Sequence, residues 1–168
     1  MGLRSHGTSW FDIAQVCQNG HVTNWATKDS PEFNKNYCDK CGAPTIVKCP
    51  KCTADIKGEY HVPGVAIFSE SERPPPAFCD ACGNPYPWTE LKLEAAREFI
   101  QELDDLDESD KNVLSDSLDH LVKDSPKTKV EAFKFKKVAS KISKESVNVL
   151  KDLVIGIISE AAKKLIWP

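Results

Sequence analysis

Cys17-Gln18-Asn19-Gly20-His21, Cys38-Asp39-Lys40-Cys41, Cys49-Pro50-Lys51-Cys52 and Cys79-Asp80-Ala81-Cys82 are four closely spaced pairs of soft metal ligands. They use all seven cysteines of the chain and one of its four histidines. A tetrahedral zinc takes four thiolate or imidazole ligands. The eight candidate ligands, Cys17, His21, Cys38, Cys41, Cys49, Cys52, Cys79 and Cys82, therefore predict two Zn2+ sites with nothing left over. A zinc with four protein ligands has no open position for substrate, so this pattern argues for structural metal and against an enzyme.

Each pair needs a tight turn. Gly42 and Gly83 follow the second cysteine of their pairs, where a positive φ ends the turn. Asn19-Gly20 supplies the turn in the first pair, and Pro50 presets φ in the third. Two groupings satisfy the count. Sequential grouping puts Cys17, His21, Cys38 and Cys41 on one ion and Cys49, Cys52, Cys79 and Cys82 on the other. Cross-brace grouping joins the first pair to the third and the second to the fourth. The short link Gly42 to Lys48 favours the sequential form, with the stretches Val22 to Tyr37 and Thr53 to Phe78 free to form hairpins. Tyr37 and Phe78 each precede a ligand pair, as if one plan were used twice.

The run Tyr37-Cys-Asp-Lys-Cys-Gly-Ala-Pro-Thr-Ile-Val-Lys-Cys-Pro-Lys-Cys, with Phe78-Cys-Asp-Ala-Cys-Gly-Asn-Pro-Tyr-Pro-Trp88, resembles an uncharacterised bacterial double-zinc-ribbon family with a C-terminal helical domain. The resemblance is dense in motifs over residues 15–89 and thinner beyond. It implies two zinc sites and a bacterial, cytoplasmic setting, and it carries no reaction.

The elements around the ligands divide at Trp88. All the cysteines and nine of the eleven prolines lie before it. We expect an N-terminal segment 1–14, a β-rich tandem zinc ribbon 15–88 and an all-α bundle of about four helices over 89–168. In the helical part, Thr89 is placed as the first cap and Ser109 as the second, with Leu114, Leu118, Leu121 and Val122 on one face. A third helix spans 128–142 with Phe135, Val138, Ala139 and Ile142 inward. Ser143 or Ser146 opens a last helix with a wide stripe from Val147 to Leu165.

Charge is unevenly spread. Residues 1–88 hold 8 Lys/Arg and 9 Asp/Glu, 89–124 hold 4 and 12, and 125–168 hold 10 and 4. Two loaded zinc sites add about −3 to the first part by formal counting. The acidic and basic helical blocks could face each other. An odd cysteine count and the polar start of the chain oppose a disulfide framework and a secretory signal, so the chain is read as cytoplasmic. No apolar run reaches the ~20 residues of a membrane span. His6, His61 and His120 are read as surface residues.

These readings predict an interaction module that binds a protein partner or self-associates through its C-terminal helices. Nucleic-acid binding through the basic segment 127–144 is the alternative, opposed by the acidic ribbon half. A RING-like cross-brace scaffold for a transferase is a second alternative, decided by the ligand grouping.

Overall fold

The computed structural model describes residues 8–65 and 73–168, and the chain separates into two compact units, Met1–Trp88 and Thr89–Pro168. His6 and residues 66–68 of the stretch after His61 lie outside the described residues.

The first unit contains small β-sheets. β1 (Trp10–Ile13) pairs antiparallel with β5 (Lys57–His61), with Trp10 opposite His61 and Phe11 opposite Tyr60. β2 (Gln15–Cys17) is the middle strand of a second sheet, between β3 (Val22–Asn24) and β4 (Thr45–Ile46). Residues 10–13, grouped by sequence with the N-terminal segment 1–14, are thus a strand of the first unit. The hairpin expected within 22–37 is replaced, because β3 returns onto β2; in the second stretch β5 pairs with β1 and Val62 bridges Val65 antiparallel, while residues 66–72 lie outside the described residues.

Strands this short cannot hold a unit by pairing alone. Ala14, Val16, Ile56, Tyr86 and Trp88 form one buried cluster with Cys49 and Cys79, flanked by Val22, Trp25 and Ile46. The two halves of the unit therefore share a core rather than folding as separate copies. Tyr86 stacks on Trp88 at 4.6 Å, and the Trp88 indole N–H donates to the Pro76 carbonyl at 2.9 Å.

The second unit has five helices where the sequence suggested about four. They are α1 (Pro87–Gln101), α2 (Glu108–Leu121), α3 (Thr128–Ala139), α4 (Lys144–Val154) and α5 (Glu160–Ile166). The expected last helix is broken because Ser159 caps α5, accepting from the Ala162 amide at 3.2 Å, while its own N–H donates to the Leu121 carbonyl at 2.9 Å. The caps also differ from expectation at α1 and α2. α1 starts at Pro87, a residue suited to a first turn, so Thr89 is already helical and is buried. Asp107, not Ser109, caps α2, accepting from the Asp110 amide at 2.8 Å. Ser143 rather than Ser146 caps α4, accepting from the Ser146 amide at 3.1 Å. Leu114, Leu118, Leu121, Phe135, Leu150 and Val154 are fully buried in this unit. Among the described residues, no helix is long and apolar enough to cross a membrane.

Candidate metal centres

Three of the four ligand pairs are built by one local device. In each, the amide of the first cysteine donates to the carbonyl five residues on: Cys38 to Ala43 at 2.9 Å, Cys49 to Ala54 at 2.8 Å, Cys79 to Asn84 at 2.9 Å. The residue after the second cysteine donates back to the first: Gly42 to Cys38, Thr53 to Cys49, Gly83 to Cys79, all at 2.8–2.9 Å. That residue must take a positive φ, which is 71° at Gly42, 72° at Gly83 and 63° at Thr53. A β-branched threonine is a poor choice there, since its Cβ crowds the backbone in the left-handed region. Sequence reading assigned the turn's geometry to Pro50 and passed over Thr53. Only the comparison of aligned pairs points to that position.

The first pair uses a different turn. Cys17 donates to the His21 carbonyl and Gly20 to the Cys17 carbonyl, both at 2.9 Å, and the His21 amide donates to Cys17 Sγ at 3.3 Å. Gly20 is required twice over. Its φ is 87°, and a Cβ there would lie 2.9 Å from Trp88 Cβ.

These turns bring the eight side chains into two groups of four, Cys17, His21, Cys38, Cys41 and Cys49, Cys52, Cys79, Cys82, with each group's ligand atoms within 4.8 Å of one another. The grouping is sequential, so the cross-brace exchange does not occur. In the first group, Cys17 and Cys41 sulfurs are 3.8 Å apart, and His21 Nδ1 lies 3.6 Å from both Cys17 and Cys38. In the second, Cys49–Cys82 and Cys52–Cys79 are 3.9 and 3.7 Å apart. A disulfide needs about 2.05 Å, so these sulfurs are not bonded to each other. A tetrahedral ion with bonds of about 2.3 Å to sulfur and about 2.0–2.1 Å to nitrogen has edges of about 3.8 Å between sulfurs and about 3.6 Å from sulfur to nitrogen. The observed edges match, so each group could bind one metal ion.

Polar hydrogens converge on the sulfurs. Asn19 and Asn84 side chains donate to Cys41 and Cys82 at 3.4 and 3.3 Å. Amides of Ala43, Ala54 and Asn84 do the same for Cys41, Cys52 and Cys82. The Ala43 amide, then the Asn19 and His21 side chains, draw the Cys41 thiol down to about 6. At Cys79 burial opposes ionisation, but the amides of Ala81 and Cys82 outweigh it and the thiol falls to about 6. The Ala54 amide pulls Cys52 the same way, yet the sulfurs of Cys82, Cys79 and Cys49 push it up to about 12. Crowded thiolates repel, and a dication is what lets all four ionise together. Burial, then the Cys79 sulfur, pushes the Tyr86 phenol upward, which ties the core aromatic pair to the second group. The first ligand of every pair is buried and the second, a cysteine or His21, is more exposed.

Among the described residues, His61 and His120 stay out of both groups. His61 is half-buried rather than a plain surface residue. Its ring stacks on Trp10 at 5.2 Å, and Nε2 is 3.8 Å from the buried Asp12 carboxylate. Asp12 accepts from the amides of Ile13, Lys28 and Asp29 at 2.5, 3.0 and 3.0 Å, which hold its pKa down although burial opposes them. Nearby, the exposed Phe11 and Tyr60 rings meet at 4.7 Å, Lys57 lies 5.1 Å over Phe11, and the Arg73 guanidinium lies 4.2 Å over Trp25. A shallow groove of about 240 Å³ is lined by Phe11, Trp25, Lys57 and Arg73.

The family model described as uncharacterized protein conserved in bacteria (DUF2321) matches residues 10–166. No curated protein and no solved structure matches the chain.

Proposed function

The chain belongs to that family of uncharacterized bacterial proteins, and from this premise we propose that it is a two-zinc structural protein whose tandem ribbon serves as a protein-interaction module. The closure of both ligand groups carries the reading. Four donors at tetrahedral spacing leave no position for substrate or water, so the metal acts on folding rather than on a reaction. Three thiolates with one imidazole, and four thiolates, are both ordinary zinc sets. This reading makes the protein no enzyme.

The aromatic surface of the first unit supports a partner. Trp10, Phe11 and Tyr60 are exposed. Aromatic and arginine side chains are the residues on which binding energy concentrates in protein interfaces. The acidic balance of residues 1–88 argues for a protein rather than a nucleic acid on this face.

Metal analysis of the full chain should return two zinc ions. One ion per chain, or two irons, removes the zinc reading. Affinity capture from the native bacterium, with and without nuclease, tests the module. A nuclease-resistant protein retained by the wild type and lost with Phe11→Ser/Tyr60→Ser supports it. Equal capture by both proteins removes this face from the account.

A further inference from the structure

The stretch around α3 is the densest run of lysine in the second unit. Residues 127–141 hold six lysines and one acid, Glu131. Facing basic and acidic blocks were one expectation, yet among the described residues a single ion pair joins them, Lys141 to Asp110 at 2.5 Å. Lys134 is held by Glu131 on its own helix at 2.9 Å, and the Lys136 ammonium donates to the Leu165 carbonyl at 3.3 Å. Among the described residues, Lys127, Lys129 and Lys137 have no carboxylate within ion-pair distance.

Two large apolar side chains stand among these charges. Phe133 is 73% exposed and Val130 is 56% exposed, one helical turn apart on the face opposite the buried Ala132, Phe135 and Val138. Beside the ridge, Lys134, Lys137 and Lys141 converge with Asp110 on a groove of about 250 Å³ whose apolar walls are Val113 and Val138.

We propose that this ridge docks on an anionic lipid bilayer, with Val130 and Phe133 entering the headgroup boundary and the lysines meeting lipid phosphates. Each part of the surface has a use there. An interfacial helix places an apolar wedge below the phosphates and cations at their level. Anionic leaflets attract local clusters of lysine, and the attraction fades within a Debye length of about 10 Å. Glu131 and Asp110 each hold one lysine of the cluster, which leaves Lys127, Lys129 and Lys137 to meet the leaflet. A protein partner fits less well, because lysine is depleted in interface cores. A nucleic acid would use the lysines and could stack on Phe133, but it offers nothing to the aliphatic Val130.

The test is sedimentation of the full, metal-loaded chain with vesicles of phosphatidylcholine alone or mixed with phosphatidylserine. Binding should require phosphatidylserine and weaken as salt rises. Lys137→Gln should weaken it about fivefold, as expected for one cation at an anionic leaflet. Phe133→Ser should weaken it about tenfold or more, since the wedge is lost. Both side chains are exposed, so circular dichroism should show each variant folded. No sedimentation at low salt overturns the proposal, and so does binding that ignores phosphatidylserine or Phe133. Salt-sensitive binding of an oligonucleotide that depends on Lys137 but not on Val130, with no vesicle binding, overturns it in favour of nucleic acid.

Discussion

In the first unit the central buried cluster has seven members, two of which are the ligands Cys49 and Cys79. In the second unit, Leu114, Leu118, Leu121, Phe135, Leu150 and Val154 pack without any sulfur. The same chain thus reaches order by two routes. Long apolar side chains at helical spacing bury enough surface to offset the entropy of ordering. Strands of two to five residues do not, and there the ligand turns fix the backbone that the core leaves loose. Stability should therefore depend on different reagents in the two units.

The sharpest way to break this contrast is to remove metal. Structural zinc supplies about 10–16 kcal/mol of apparent binding energy in small peptides. Strong chelator, or Cys79→Ser, should abolish the dispersed amide resonances of the first unit and leave the helical signal of the second. A metal-free first unit that keeps its resonances defeats the contrast.

The reciprocal experiment is Leu118→Ala, a truncation at a fully buried position of α2. It should cost the second unit about 2–5 kcal/mol. Thermal melts should show that loss while metal content stays unchanged. A fall in bound metal would mean that the two routes are not separate.

A smaller effect probes what the first unit gains without metal. Asp12→Asn should destabilise that unit by about 2 kcal/mol, the range for hydrogen bonds to a charged group. The Asp12 pKa is lower folded than unfolded. Its contribution is therefore complete above the ordinary aspartate value of about 3.9 and is lost as pH falls through the folded value. Denaturant midpoints measured with saturating zinc should show the wild type losing its advantage over the variant on acidification. An advantage that grows toward low pH contradicts the assignment.

The smallest effect concerns Thr53. Thr53→Gly relieves a positive φ in a turn that glycine serves at both equivalent positions, and it should stabilise the second metal site by about 1 kcal/mol or less. Competition with a chelator reads this as slower metal loss. Faster loss would show that the threonine holds the turn by some contact of its side chain.

Spacing made the ligand groups readable in advance. Four pairs with a short link after Gly42 pointed to the sequential grouping that the structure displays. The helical faces were equally open to inspection, because an apolar residue on every third or fourth position leaves little choice of face. Three features were not legible. Thr53 violates the preference that makes Gly42 and Gly83 recognisable, so propensity pointed away from it. The pairing of β1 with β5 joins residues some fifty positions apart, and nothing local in Trp10–Ile13 names its partner. The break between α4 and α5 depends on Ser159 bonding to Leu121, a contact made only once the helices have packed.

Trp88 touches both ends of the metal system. Its Cβ abuts the glycine of the Cys17–His21 turn, and its ring lies on Tyr86, whose hydroxyl faces the Cys79 sulfur. One indole is therefore placed beside both ligand groups. In a chain whose Trp10, Trp25 and Trp167 are replaced by phenylalanine, its emission would be a built-in gauge of metal occupancy. The shape of a zinc titration read at that single fluorophore would tell whether the ions enter one at a time or together.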